Sequence, residues 1–297
     1  MKQSLKRWFS AFACVAVLSS AFVISGCVFD KESQKYTPPV ETEKLDPDGY
    51  KNFSDLILVK KKYDNDVVKN FEEYNAVLSG LKSGQPINGY EGPEYEVLKK
   101  GLESVKNKGV EPKSVAADLE PVLTALNQLV PAQIELKKQR TIQGGDAVVK
   151  YLQALEQFNM AYDKFSTTVK TANKERIQQR AKDMRDNGYK NYSTAIEVMS
   201  SFTDLTENVL LTRSNPNRAQ IEKDAADIMA KVNSIDSNAP EVAKFKTEAQ
   251  KVVTSIQELL DHVGTPYESH YLQHMYRQYN IFIEAFSALP SKGIDGK

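Results

Sequence analysis

Cysteine is nearly absent from this chain, and its scarcity narrows the chemistry that the protein can perform. The 297 residues include two cysteines, Cys14 and Cys27, and both lie near the N-terminus. The chain after Cys27 therefore cannot form an internal disulfide or supply a catalytic thiol. Histidine is also scarce, with three residues, and the one tryptophan, Trp8, lies in the first apolar stretch. We expect the folded part to be stabilised by its hydrophobic core alone.

An excess of charge of either sign is also lacking. Lys and Arg together number 39, as do Asp and Glu, so the formal net charge is zero. This balance produces no strong field to attract nucleic acid or an anionic substrate. The basic residues between Lys174 and Arg185 are interleaved with Glu175, Asp183 and Asp186, which is typical of a solvated helix face. The sequence therefore predicts no nucleic-acid partner.

Local catalytic motifs are missing as well. The chain has no Gly-x-Ser-x-Gly turn, no phosphate-binding loop, no Gly-x-Gly-x-x-Gly and no His-Glu-x-x-His. The Glu-x-x-His pairs of a di-iron bundle are also absent, because Leu259, Tyr267 and Tyr271 stand three residues before the histidines. A Ser-His-Asp triad assembled from distant residues leaves no local pattern and stays open. We expect no enzymatic activity and no cofactor.

Alternation with a period of two is absent, whereas helical spacing is abundant. Apolar residues recur at steps of three and four in long segments, as in Val148, Tyr151, Leu155, Phe158 and Tyr162. Sustained steps of this kind are typical of near-parallel packed helices. We predict an all-α fold, an elongated up-and-down bundle of about seven or eight helices. The bundle would span residues 46–290, and residues 291–297 would form a disordered tail.

Individual residues predict where the helices begin and end. Asn217 and Asn238 are placed to cap two helix N-termini, since each accompanies a proline and an apolar stripe. A long helix is expected to begin at Asp146 and to end at Asn187-Gly188. Pro121 and Pro131 predict either kinks or new helix starts.

The N-terminal segment carries the most specific pattern in the chain. Lys2, Lys6 and Arg7 precede an apolar stretch that ends in Ile24-Ser25-Gly26-Cys27. A basic start, an apolar stretch and small residues before a cleavage site are typical of a secretory signal. A cysteine directly after that site is typical of a lipoprotein signal. We therefore predict a lipoprotein signal peptide at 1–26 and a diacylglycerol group on the thiol of Cys27.

The residues that follow predict a tether and a location. Residues 27–45 are mostly polar, contain Pro38-Pro39 and have little to bury, so we expect a lipidated N-terminus followed by a flexible tether. Val28 stands where an aspartate would favour retention in the inner membrane. In a host with two membranes, the sequence therefore predicts an outer-membrane anchor facing the periplasm. The sequence leaves the type of host envelope open.

Two histidines near the C-terminus are a candidate metal site. His270 and His274 are four residues apart, so one helix face could present both to a metal ion. At about 100° per residue, both face away from the apolar stripe between Leu272 and Phe286. This placement favours solvated histidines over a metal site in the bundle core.

Four tyrosines in the same segment are a candidate binding surface, Tyr267, Tyr271, Tyr276 and Tyr279. They could form an aromatic platform for a glycan or a peptide. The alternative is that they pack against a neighbouring helix and keep their hydroxyls at the rim. The sequence favours this second interpretation.

Two short motifs resemble a known family. Tyr-Asn followed by apolar residues occurs at Tyr74-Asn75 and again at Tyr279-Asn280, and a Gly-Gly-Asp turn at Gly144–Asp146 opens a long aromatic-rich helix. Over about residues 46–290 this layout resembles the YiiG-type bacterial lipoproteins. The resemblance implies a lipoprotein with an all-helical domain. That family has no established activity, so the resemblance assigns no site residues.

These patterns favour a non-enzymatic, lipid-anchored protein of the cell envelope that binds a partner along its helical surfaces. Its expected partners are the membrane, through the lipid on Cys27, and an envelope protein of unknown identity. The alternative is a small-molecule or metal-binding periplasmic protein with a site between helices.

Overall fold

A computed structural model describes residues 50–84, 92–138, 145–213, 215–290 and 293–296. Within these ranges the chain forms nine α-helices and one 3-10 turn, with no strand. The elements are α1 (Phe53–Lys69), α2 (Phe71–Ser83), α3 (Tyr95–Lys108), α4 (Lys113–Lys138), α5 (Asp146–Asp186), α6 (Lys190–Thr212), α7 (Arg218–Ser234), α8 (Pro240–His262), α9 (Glu268–Ser287) and the 3-10 turn Gly293–Asp295. The predicted all-α class is confirmed, with more helices than expected. Over the described ranges, no helix combines the length and the hydropathy needed to cross a bilayer.

The chain divides into two compact units, and the boundary falls inside α5, between Asn173 and Lys174. The first unit contains α1 to α4 and the beginning of α5. The second unit contains the end of α5, α6 to α9 and the 3-10 turn. The single bundle expected over residues 46–290 is therefore two units, each with its own core.

In the first unit, α1 and α3 pack antiparallel. The side-chain amide of Asn52, just before α1, donates to the carbonyl oxygen just after α3 at 2.6 Å. Further along α1, the rings of Tyr63 and Tyr95 lie 6.0 Å apart between centroids. Between these contacts, a Cβ added at Gly101 would lie 2.8 Å from the nearest side-chain carbon of Val59. The missing side chain at position 101 thus permits close helix packing.

In the second unit, α8 and α9 form an antiparallel hairpin. Phe245 of α8 packs on Phe282 of α9 with ring centroids 5.1 Å apart. Nearer the loop that joins the helices, His262 stacks on Tyr271 with ring centroids 3.8 Å apart. Because α6 packs on α7, and α7 on α8, one core of aliphatic and aromatic side chains runs through the unit.

The C-terminal 3-10 turn is an ordered part of the second unit, so the disordered tail expected at 291–297 is wrong for residues 293–296. Ile294 is buried. The carboxylate of Asp295 accepts hydrogen bonds from the backbone N–H groups of Asn191 and Tyr192, at 2.7 and 3.0 Å. No side chain at the N-cap position of α6, Tyr189, makes a capping bond. Asp295 therefore caps α6 from a distant part of the chain.

The long helix α5 ends where the sequence predicts. Gly188 has φ 85°, a conformation that glycine adopts at little cost. Its N–H donates to the carbonyl of Arg185, and the N–H of Tyr189 donates to the carbonyl of Met184, both at 2.9 Å. This pair of bonds is a Schellman motif, which satisfies the last carbonyls of a helix.

Two other predictions about helix ends have different outcomes. Asn217 caps α7, and its side-chain oxygen accepts from the N–H of Gln220 at 3.2 Å. Asn238 does not cap α8, whose N-cap residue is Ala239 with no side-chain capping bond.

Pro121 and Pro131 both lie inside α4, so neither marks a new helix start. The buried apolar face of α4 offsets the backbone bonds that the prolines remove.

Candidate functional site

The lipidation site predicted from the sequence lies outside the described residues. This applies to Cys27, to the signal peptide at 1–26 and to the tether at 27–45. All three stay predictions.

The histidines lie together on the α8–α9 hairpin, but each contacts protein groups. His270 is exposed and meets the ring of Tyr271 edge-on. The Nε2 atom of His274 lies 3.5 Å from a carboxylate oxygen of Glu258. The ring of His262 stacks on Tyr271, as described above, and its Nδ1 lies 2.8 Å from the carbonyl oxygen of Glu258. Across the described part of the chain, no group of three or more His, Cys, Asp or Glu residues is arranged to hold a metal ion.

The four candidate tyrosines do not form one platform. Tyr279 is 1% exposed, and its hydroxyl lies 2.5 Å from the hydroxyl of Thr203. Burial raises the pKa of Tyr279 above its ordinary value. Tyr271 and Tyr276 pack partly against the core of the second unit, whereas Tyr267 is 66% exposed. Tyr279 is therefore a core residue, and of these four tyrosines Tyr267 alone is largely solvent-exposed.

A polar cluster that the sequence analysis did not identify lies in the core of the first unit. Lys60 and Asp64 are one turn apart on α1 and are 4% and 1% exposed. The Nζ atom of Lys60 lies 2.5 Å from Oδ2 of Asp64. From α5, the hydroxyl of Tyr162 donates to Oδ1 of Asp64 at 2.8 Å. Burial and the nearby Asp64 carboxylate raise the pKa of Tyr162 well above its ordinary value, so this hydroxyl stays protonated.

Aromatic rings enclose this polar cluster. Tyr63 lies 5.1 Å from Tyr162 and 5.9 Å from Phe158 between ring centroids, and Tyr95 packs on Phe158 at 5.3 Å. The Nζ atom of Lys60 lies 5.6 Å from the centroid of Tyr162. Water is therefore kept away from a lysine, a carboxylate and a phenol. The spacing of Lys60 and Asp64 does not itself indicate burial, because i, i+4 Lys-Asp pairs are common on helix surfaces. The sequence signal for their burial was the row of aromatic residues on α5, including Phe158 and Tyr162, that faces them.

The first unit also has an open polar groove of about 280 Å³ between α3 and α4. Lys106 of α3 and Glu120 of α4 line it and form an ion pair at 2.7 Å. Asn107, Thr124 and Asn127 supply further polar groups. Ligand sites are usually larger and mostly apolar, so this groove suits at most a small polar molecule.

No protein-family model, no curated protein and no solved structure matches this chain. The resemblance to the YiiG-type lipoproteins therefore stays a prediction that rests on the short motifs quoted above. The function has to be inferred from this chain's own residues.

Proposed function

We propose that this chain is a lipid-anchored protein of the bacterial cell envelope, exported by the signal at 1–26 and held to the membrane by diacylglycerol on Cys27. The single observation that carries this proposal is the order of residues at the N-terminus. A basic start and an apolar stretch lead to Ile24-Ser25-Gly26-Cys27. In a host with two membranes, Val28 favours an outer-membrane anchor that faces the periplasm.

Lipidation at Cys27 would give stable attachment. Each buried CH₂ group contributes about 0.8 kcal/mol, so two acyl chains hold a protein at a bilayer where one chain gives only marginal binding. The polar residues 28–45 would then act as a flexible spacer. Eighteen extended residues reach at most roughly 60 Å, which sets the helical part away from the lipid surface.

We further propose that the helical part works by binding or scaffolding, without enzymatic chemistry. The motivation is the pairing of a membrane tether with long amphipathic helices, whose outward faces offer surface for a partner. Several large apolar side chains are exposed on those faces: Leu58, Val97, Ile134, Val149, Met160 and Leu211. The proposal includes the elongated up-and-down arrangement of helices that the sequence predicts.

The anchor is tested by replacing the lipidated residue. Cys27→Ser removes the thiol, so the variant should lose its lipid and its membrane attachment, whereas Cys14→Ser in the discarded signal should change neither. Cell fractionation and immunoblotting report both. A Cys27→Ser protein that is still processed and membrane-bound contradicts the anchor.

The binding role is tested by crosslinking in whole cells, followed by mass spectrometry of the attached peptides. One recurrent envelope protein, crosslinked at the same exposed helix faces in replicate cultures, is the expected result. Crosslinks spread over many unrelated proteins would contradict a specific scaffold.

The alternative function is the binding of a small polar molecule in the groove between α3 and α4. The ion pair of Lys106 and Glu120 at that groove favours it. Native mass spectrometry of the protein released from membranes should then show a bound small molecule. Thr124→Trp, which fills the groove, should abolish that mass shift, and a mass equal to the polypeptide plus lipid would exclude this function.

A further inference from the structure

The buried lysine of the first unit has no use in the proposed function. Taking a lysine and an aspartate out of water costs free energy for each ion, and their mutual attraction often fails to offset that cost. Lys60 and Asp64 nevertheless lie inside an aromatic core, with Nζ 2.5 Å from a carboxylate oxygen. A reaction that removes both charges would relieve this cost.

We propose that Lys60 and Asp64 become joined by an intramolecular amide bond when the first unit folds. A proton moves from the ammonium of Lys60 to Oδ2 of Asp64, which leaves an amine beside a carboxylic acid. The Nζ lone pair then attacks Cγ, and the Nζ–Cγ bond forms. The Cγ–Oδ2 bond breaks, and Oδ2 departs as one water molecule with two of the three protons that Nζ carried. No oxidant, reductant or other reactant is consumed.

The fold holds the amine close to the carboxylate and away from water, two conditions that the same groups lack in free solution. Side chains four residues apart lie on the same helix face, so α1 itself brings the amine to the carboxylate. Well-oriented intramolecular groups reach effective molarities of about 10⁵ M or more. In water the charged reactants are favoured by hydration, but here both are buried, and a neutral amide costs less free energy to bury than two ions.

Tyr162 is the hydrogen-bond donor for the reacting carbonyl. Its hydroxyl donates to Oδ1 of Asp64 at 2.8 Å, which is the oxygen that gains negative charge when Nζ attacks Cγ. Its raised pKa keeps the proton in place at neutral pH. The aromatic rings around it exclude bulk water, which would otherwise compete to hydrolyse the product.

The chain contains a matched pair that should not react. Lys223 and Asp227 have the same residue types and the same i, i+4 spacing on α7, with 3.3 Å between Nζ and Oδ2. Both side chains are about two-thirds exposed, at 68% and 66%. Spacing is thus common to both pairs, and burial distinguishes Lys60–Asp64.

The test is peptide mapping of the full chain isolated from membranes, unfolded and digested with trypsin. The expected result is that trypsin does not cut after Lys60, and that the peptides carrying Lys60 and Asp64 are recovered covalently linked, lighter by the mass of one water. The same digest should show normal cleavage after Lys223 and full mass for the peptide with Asp227. Cleavage after Lys60 with both peptides at full mass overturns the proposal.

Two variants test the roles of the residues. Lys60→Arg keeps a positive charge but has no nucleophilic amine, so a mass deficit that persists there contradicts the assignment to Lys60. Tyr162→Phe keeps the ring and removes the donor, and donors of this kind change rates by about 10²-fold or more. Freshly synthesised Tyr162→Phe protein should therefore be mostly unlinked, and linkage at the wild-type rate would refute the role of Tyr162. Because the wild-type digest needs no variant, the proposal stays testable if a variant fails to fold.

Discussion

Asp295→Ala should loosen the start of α6, although the two segments are about a hundred residues apart in sequence. The carboxylate of Asp295 takes two backbone N–H bonds, from Asn191 and Tyr192, at a helix end with no side-chain cap of its own. Loss of an N-cap side chain costs about 0.5–2 kcal/mol. Since this carboxylate accepts two backbone bonds at a helix N-terminus, we expect Asp295→Ala to destabilise the start of α6 by about 1–2 kcal/mol.

The assay is hydrogen exchange of the backbone amides of Asn191 and Tyr192, measured by mass spectrometry or NMR. A loss of 1–2 kcal/mol corresponds to exchange roughly 5- to 30-fold faster. Asp295→Asn keeps one acceptor oxygen and should lie between wild type and the alanine variant. Asp227→Ala is the control, because its exposed pair with Lys223 should contribute little. Unchanged exchange in Asp295→Ala would refute the cap and would favour the disordered tail that the sequence predicts.

Three further predictions follow from the packing and the ionisable groups. Gly101→Ala should destabilise the protein by about 1–3 kcal/mol in urea unfolding, because its Cβ would meet Val59 at 2.8 Å, and adding Val59→Ala should recover part of that loss. Burial raises the pKa of Tyr279, so the stability linked to its protonated hydroxyl is complete below pH 10 and is lost as the pH rises further. Tyr279→Phe should therefore flatten the alkaline decline of the thermal unfolding temperature. The Lys164 ammonium, with a hydrogen bond from Thr168, holds the pKa of Asp118 below its usual value, so this carboxylate stabilises the protein above its unfolded pKa and the effect is lost on acidification. Lys164→Ala should raise the pKa of Asp118 in an NMR titration, and an unchanged value would contradict the ion pair.

The helices could be predicted from the sequence because their signals are local. The five stripe positions that the sequence predicts on α5 are all buried: Val148, Tyr151, Leu155, Phe158 and Tyr162. The end of α5 was also predictable, since Asn187-Gly188 provides the one residue type that adopts a positive φ easily. Asn217 likewise caps α7 through a bond that spans three residues.

The features that were missed depend on contacts between distant residues. Tyr162 and Asp64 are 98 positions apart, and neither residue alone signals a buried polar cluster. The cap on α6 joins Asn191 to Asp295, which no local pattern records. The division into two units was missed because α5 is one continuous helix that runs through both of them. Asn238 failed as a cap because the chain enters α8 at Pro240, with an extended Ala239 in the N-cap position.

Helical geometry alone could have excluded a single platform made of all four candidate tyrosines. At about 100° per residue, Tyr267 and Tyr279 lie on faces roughly 120° apart, so one platform could not include both. The structure places Tyr279 in the core and leaves Tyr267 exposed. For the predicted site at Cys27, the described residues give no test.

The mass of the N-terminal peptide of the mature protein tests the central claim most directly. Protein extracted from membranes with detergent, digested and analysed by mass spectrometry, should yield a first peptide that begins at Cys27 and carries diacylglycerol on sulfur. A mature N-terminus at any other residue, or an unmodified Cys27 in the membrane fraction, would contradict the lipid anchor.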